Sequence, residues 1–385
     1  MNKRIRLIDS LRGFSLLGIL IANMLIFQYG IFGKDEIAYF HLRPWDEFMY
    51  VWIKIFVESS FMPIFLFLFG YSAIMLKNKL DKYGKRVKWH LFRRFLLLVI
   101  FGLLHTVFLW EGDILFSYGL TGIVMLIFVN RKRNTILYWA IGIFLITSLT
   151  NLVPEEEITN KETENISSYI QKANDIYATG TYHEIFEFRN SGEDPYELSD
   201  YFYPVLIMLT PFITCPMLLF GMYAAKSGWF TNPGPNRMKY GEMALIFVIG
   251  GLLLKSVQYV YTGSIFGNVT YAVGGPILAM GYIFTFSYFY SGSGQKYLSF
   301  FEGIGRLSMT NYLFQTIICT SIFYGYGLGL FGKLGVLNGF FLAIIIYSCQ
   351  AIISYYYLKR WKMGPFEKLM RMGTYLSWSG KMQST

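Results

Sequence analysis

Apolar residues in this chain run in long blocks rather than alternating with polar ones. Ten blocks stand out, at 13–32, 50–76, 91–110, 114–130, 135–153, 202–224, 241–262, 268–290, 306–328 and 335–358. A helix crossing ~30 Å of hydrocarbon needs about 20 mostly apolar residues. The pattern therefore predicts an all-α polytopic membrane protein with about ten transmembrane helices. The first block is too long for a signal-peptide core, follows Asp9 and Arg12, and ends without a small-x-small site, so it reads as a retained span. In the polar stretch 153–200, Ile166, Ile170, Ala173 and Tyr177 recur at helical spacing and predict a short amphipathic helix over the helix mouths. After the last block, Lys359, Arg360 and Lys362 precede Gly364 and Pro365 and a second amphipathic helix on the inner leaflet. The predicted organisation is a five-helix membrane half over 1–152, an acidic segment over 153–200, a second five-helix half over 201–358 and a basic tail over 359–385.

Composition agrees with this pattern and charge gives it a direction. The chain is 54% hydrophobic and 15% charged, against roughly a quarter charged in soluble domains, which excludes an ordinary soluble enzyme and a disordered chain. The net charge of +10 would suit nucleic acid only if it were clustered on one face. Instead, 153–200 holds 12 acidic residues against Lys161, Lys172 and Arg189. Over all the connections, one alternate set carries 26 lysines and arginines and the opposite set, which includes 153–200, only 6. The positive-inside rule then puts both termini in the cytoplasm and 153–200 outside. No nucleic-acid partner is expected; the bilayer is.

Few ionisable groups remain inside the spans, where they are costly and functional by default. His105 stands near the outer end of the third span, and Asp113 starts the fourth after a tight turn through Trp110, Glu111 and Gly112. At 1.5 Å per residue His105 lies roughly 7–8 Å below that turn, so the pair can meet directly or through a water. A carboxylate that orients an imidazole suits general-base catalysis on a hydroxyl or amine; a structural bond between two helices is the alternative. His41, in the loop ahead of the second span, either joins this mouth or simply lies at the interface beside Trp45. At the inner leaflet stand Asp9, Arg12, Arg93, Arg94, Arg306, Asn311 and Gln315. The arginines suit phosphate oxygens of an anionic cytoplasmic ligand, or merely obey the positive-inside rule; no Gly-rich nucleotide loop is present. Asn23 reads as a helix–helix contact or a ligand contact, Lys255 and Lys54 as residues that snorkel to the outer surface. Gly274, Gly275 and Pro276 predict a break in the eighth span. Cys215, Cys319 and Cys349 lack any metal or disulfide spacing and read as small buried hydrophobes, and no metal is predicted.

The residues just named also carry a resemblance. Arg6, Asp9, Arg12, Gly13, Gly18, Ile19 and Asn23 resemble the opening motif of the YeiB family, bacterial membrane proteins also described as domain of unknown function 418. Phe65 to Gly70, Arg93 and Arg94 running to Gly102 and His105, and Gly112 to Leu115 with Tyr118 resemble further blocks of that family. So do Gly305 and Arg306 with Thr310, Asn311, Tyr312 and Gln315, and Gly364 to Glu367 with Arg371; Lys368 departs from the family's usual Trp. The family is similar in layout to a transmembrane acyltransferase superfamily that includes heparan-glucosaminide N-acetyltransferase and the acyltransferase-3 enzymes.

That resemblance implies a multi-pass protein of the bacterial cytoplasmic membrane using acyl-CoA or acetyl-CoA as donor. His105 would be general base or acyl relay, with Asp113 as its partner. Arg12, Arg93, Arg94 and Arg306 would hold the CoA end. Asp9, Asn23, His41, Lys255, Asn311, Tyr312 and Gln315 would supply substrate contacts or support. The acceptor would be a hydroxyl or amine of a small molecule, lipid or cell-wall glycan outside. Two other readings stay open: a transporter with His105, Asp113 and Lys255 as a proton relay, and a membrane sensor or scaffold working through 153–200. No inverted repeat of the transporter kind is found, since the similar Phe69–Ala73 and Phe220–Ala224 segments end spans of the same direction. The Gly-rich 325–335 stretch would allow close packing in an oligomer.

Overall fold

A computed structural model describes residues 5–152, 160–196, 202–261 and 263–380. The chain enters through α1 (Arg6–Gly33), the most enclosed of the long apolar helices. Next come α2 (Pro44–Phe56) and α3 (Phe61–Lys82), then α4 (Val87–Phe108), α5 (Leu115–Met125) and α6 (Arg133–Leu149). Two shorter polar helices follow, α7 (Asn160–Thr179) and α8 (Tyr182–Asn190). The second half contains α9 (Phe202–Lys226), α10 (Arg237–Val260), α11 (Ile265–Tyr290), α12 (Gln295–Leu298), α13 (Phe300–Arg306), α14 (Ser308–Phe323), α15 (Val336–Arg360) and α16 (Pro365–Tyr375).

The protein is an all-helical polytopic membrane protein. Among the described residues, eight helical stretches are long and apolar enough to cross a bilayer. The peripheral helices α6 and α10 bury little of themselves, turning Trp139, Leu145 and Ile146, and Leu245, Ile246 and Leu253, outward. Such faces would aggregate in water and match acyl chains in a membrane. The fourth and ninth predicted spans are shorter than the pattern indicates. The eleven residues of α5 rise about 16 Å, roughly half the hydrocarbon thickness. The chain continues in turns, where Lys226 Nζ donates to the carbonyls of Val129 and Arg131 at 2.9 and 2.6 Å.

The two halves interleave. α1 packs on α13, α14 and α15, and α9 packs on α3, α5 and α6. Gly305 permits the first contact, because a Cβ there would lie 1.8 Å from the Asp9 carbonyl oxygen. The acidic end of the bundle is covered by α7 and α8, with Ile166, Ile170, Ala173 and Tyr177 all buried as their spacing predicts. Glu155, Glu156, Glu157, Glu197 and Asp200 of this segment lie outside the described residues. At the opposite, basic end, α16 is the amphipathic helix expected after Pro365 and packs on α4 and α14.

The helix break falls elsewhere than predicted. Gly274, Gly275 and Pro276 lie inside a continuous α11; the second span is the broken one, between α2 and α3, where Ser59 has φ +59°. Gly275 faces that break closely, since a Cβ would meet the Ser59 carbonyl oxygen at 2.5 Å. Lys255 does not snorkel: it is fully buried, and its Nζ donates to the Glu58 carbonyl at 2.5 Å and to Ser60 Oγ at 3.3 Å. Its charge also lies 4.8 Å from the centre of the Tyr271 ring. Breaking a helix frees backbone carbonyls in hydrocarbon; the ammonium satisfies that of Glu58, and the Tyr271 and Tyr282 hydroxyls those of Lys54 and Phe56. Lys54 is likewise paired, with Glu58 at 2.7 Å and with Asp35. Cys215 and Cys319 are buried, whereas Cys349 is exposed on the outer surface of α15.

Candidate active site

His105 lies one turn from the C-terminal end of α4, and Asp113 lies in the turn leading into α5. Gly102 sets their approach: a Cβ there would lie 2.2 Å from the Phe116 nitrogen. With α5 held this close, His105 Nδ1 comes within 2.9 Å of Asp113 Oδ1, both side chains essentially fully enclosed. The Nδ1–H direction is bent off this line, so the contact is a close approach rather than a linear hydrogen bond. Asp113 Oδ2 accepts from the Phe116 N–H at 2.8 Å, and Tyr312 OH donates to Oδ1 at 3.4 Å while accepting from the Ile114 N–H at 3.2 Å. On the other side of the ring, His105 Nε2 is 3.0 Å from Thr316 Oγ1. A carboxylate only accepts, so the partners assign the proton to Nδ1 and make Nε2 the acceptor of the Thr316 hydroxyl.

The floor of the site is aromatic. Trp110 is fully buried, stacks on Phe27 at 4.1 Å and presents its ring to the imidazole edge at 6.4 Å. Helix α8 holds the end of α4 from outside. Arg189 donates to the carbonyls of Leu109 and Val107 at 2.9 and 2.7 Å, and Tyr182 OH to that of Phe108 at 2.7 Å. From α7, Tyr177 OH donates to Glu111 at 3.1 Å. Burial raises the Glu111 carboxyl above its ordinary range, and the Tyr177 hydrogen bond and Arg189 charge only partly oppose this.

A basic cavity approaches the same pair from the other end of the bundle. Two spaces, about 220 and 420 Å³, share Arg12, Phe69, Ser72, Arg94 and Arg371 as walls. The smaller also meets Arg306 and Lys362, then narrows between apolar side chains to Ile114, Tyr118 and Tyr312. Arg94 and His105 are about 16 Å apart along α4, and over that interval the cavity touches α4 at Arg94 and Leu98. Tyr312 closes it, with its ring centre 5.5 Å from that of His105. The cations outnumber the acids. Asp9 bonds to Arg12 at 3.0 Å. Glu367 is committed to the start of α14, accepting from the Met309 and Thr310 N–H groups and Thr310 Oγ1 at 2.9, 3.1 and 2.6 Å.

The remaining candidates separate into other places. Arg12, which also donates to Ser72 Oγ at 2.8 Å, and Arg94, Arg306 and Tyr312 meet at the cavity. Arg93 faces away and lies over Trp89 at 5.9 Å. Asn311 and Gln315 tie α14 to α15, through Ser354 and Gln350, each at 3.0 Å. Asn23 is half-buried on α1 and not among the cavity-lining residues; His41 is exposed in a left-handed turn with φ 46°. Lys255 belongs to the α2–α3 break. The sequence assigns no role to Thr316, and to Arg371 only a place in the family resemblance. Thr316 lies four residues beyond Tyr312 on the same face of α14, a spacing the sequence contained. Arg371 reaches the cavity only through the packing of α16.

Fold and site together define a polytopic helical membrane protein with a buried His–Asp pair behind Tyr312, which lines a basic cavity. Residues 224–377 match the family described as Protein of unknown function (DUF418). The chain is 32% identical to a Bacillus subtilis (strain 168) protein described as Uncharacterized protein YxaH, over 98% of this chain and 96% of that one. It is 25% identical to Escherichia coli (strain K12) Uncharacterized protein YeiB, over 95% of each. A Bacillus acidopullulyticus protein, described as an Uncharacterized 39.9 kDa protein in amylase 3' region, is 26% identical over 97% of this chain and 95% of that one. The chain belongs to the YeiB/DUF418 family.

Proposed function

We propose that this protein is a membrane acyltransferase that carries an acyl group from acyl-CoA to a hydroxyl or amine acceptor on the opposite side. The observation that supports this reading is the cavity whose basic mouth leads to Tyr312, whose ring packs on His105 and whose hydroxyl donates to Asp113. The basic end faces the cytoplasm, as the charge asymmetry indicates, and α7 and α8 face outward. Arg12, Arg94, Arg306 and Arg371 hold donor phosphates, where the planar guanidinium fork matches their oxygens. The narrow apolar part beyond them receives the pantetheine arm and its thioester. His105, oriented by Asp113, takes the proton of the attacking group and returns it to the departing CoA thiolate. The acceptor is a small molecule, lipid headgroup or cell-wall glycan approaching from the α7–α8 side.

The test is thiol release from acetyl-CoA and longer acyl-CoAs by the purified protein in lipid nanodiscs, with candidate acceptors added. The expected result is turnover that His105→Ala abolishes. Normal turnover by folded His105→Ala removes the base from the mechanism. Substrate uptake into liposomes without a donor would replace transfer by transport.

A further inference from the structure

Threonines inside helices usually direct their hydroxyl proton to a carbonyl one turn back. Thr121, Thr147, Thr214, Thr270 and Thr374 do so here, to Ser117, Ile143, Thr210, Phe266 and Met370 at 2.6–2.9 Å. Thr316 is different. The partner of its hydroxyl is His105 Nε2 at 3.0 Å, and the imidazole's other nitrogen is 2.9 Å from Asp113. The three groups come from α14, α4 and the α4–α5 turn, and all are enclosed. A hydroxyl on a ring nitrogen, with the ring held by a carboxylate, is the arrangement that activates an oxygen nucleophile.

Position agrees with chemistry. Ser308, Met309 and Tyr312 of α14 line the donor cavity, and Thr316 continues that face one turn further toward the acidic end. Thr316 itself does not line that cavity; the Tyr312 ring stands between them, so a thioester reaches Oγ1 only past that ring.

We propose that Thr316 is the nucleophile and carries the acyl group as an ester between donor and acceptor. This inference rests on the acyltransferase reading. In the first half-reaction Thr316 Oγ1 attacks the thioester carbonyl carbon and gives its proton to His105 Nε2. The C–S bond breaks, and the CoA thiolate leaves with that proton as free thiol. In the second, the acceptor hydroxyl or amine attacks the Thr316 ester and gives its proton to Nε2. The ester C–O bond breaks, and Thr316 Oγ1 recovers the proton. Donor and acceptor thus become free CoA and acylated acceptor, with His105 and Thr316 restored. Asp113 remains ionised throughout and holds the ring.

The experiment measures exchange of isotopically labelled CoA into acetyl-CoA without acceptor, and the mass of the α14 peptide after acid quench. The full-length protein in nanodiscs is used, together with Thr316→Val, which keeps the side-chain shape, and Thr316→Ser. Wild type is expected to exchange label and to show one added acetyl group at Thr316. Thr316→Val should lose exchange at least about a thousandfold, and Thr316→Ser should retain it. Acetyl-CoA turnover with no exchange, and with Thr316→Val active, overturns the nucleophile and leaves the transfer reaction standing. An adduct on His105 that survives in Thr316→Val also overturns it, in favour of an acyl-imidazole relay. No consumption of any acyl-CoA by wild type overturns both readings.

Discussion

Asp113 follows His105 by eight residues, yet its Oδ1 lies 2.9 Å from the imidazole because α4 and α5 turn back on each other within that interval. The pair is a property of the hairpin: Gly102 brings the helices together, and α8 fixes the end of α4 from outside. Both residues move only if the hairpin moves.

Gly102→Ala is therefore expected to separate α4 from α5. Its Cβ would meet backbone at 2.2 Å, and overpacking of this kind costs about 1–3 kcal/mol. Thermal unfolding in nanodiscs should show the loss, and transfer activity should fall further than stability does. Wild-type activity and melting would contradict the close approach.

Asp113→Asn keeps the shape but lets the amide donate to Nδ1, favouring the tautomer with its proton on Nε2. That tautomer cannot take a proton from a nucleophile. Turnover is expected to fall about 10³–10⁴-fold with the melting temperature little changed, measured as thiol release at saturating acyl-CoA.

The arginines divide into two groups. Arg94→Gln and Arg371→Gln each remove a charged donor from the cavity wall and should weaken acyl-CoA binding about 10–100-fold. Arg93→Gln should leave it unchanged, because Arg93 lies over Trp89 outside the cavity. Titration of acyl-CoA binding to the three variants checks the division, and equal losses would refute it.

Glu111 gives the acidic end a pH dependence. A carboxyl raised on folding contributes stability that is complete below its unfolded pKa of about 4.3 and disappears as pH climbs through the folded value. The docking of α7 through Tyr177 should accordingly loosen with rising pH. Hydrogen exchange in α7 and α8 should increase with pH beyond its intrinsic chemical rise, and Glu111→Gln should flatten the excess.

Lys255→Met fills similar space without the charge and leaves the Glu58 carbonyl with only the Ser60 hydroxyl, at 3.3 Å, as donor. An unsatisfied buried group costs about 1–3 kcal/mol, so a lower melting temperature is expected. A variant as stable as wild type would mean that the break needs no cation.

The sequence revealed what periodicity and adjacency can carry. Long apolar blocks located the spans, and the tight turn between His105 and Asp113 disclosed their pairing. The four apolar positions from Ile166 to Tyr177 marked the buried face of α7. Features that depend on distant packing were not legible. The break between α2 and α3 is stabilised by Lys255 from α10 and accommodated by Gly275 from α11, so the short polar stretch Glu58, Ser59 and Ser60 within a long apolar block does not mark it alone. Gly274 and Pro276 suggested a break because neither favours a helix in isolation, yet neighbouring packing keeps α11 whole. Arg93 and Arg94 are adjacent in sequence, but about 100° of helical rotation sends them to different surroundings.

The cavity ending at Tyr312 also has an electrical consequence. An arginine-lined mouth open to the basic-side solution would carry its potential part of the way into the bundle, so the membrane voltage would fall more steeply across the layer beyond it. His105 and Thr316 lie in that layer. A full charge crossing the whole potential changes energy by about 2.3 kcal/mol per 100 mV, and a proton exchanged at His105 feels a large share of it. On the transfer reading proposed above, voltage would act on the proton step itself, and collapsing it is expected to alter the rate with every ligand concentration held constant.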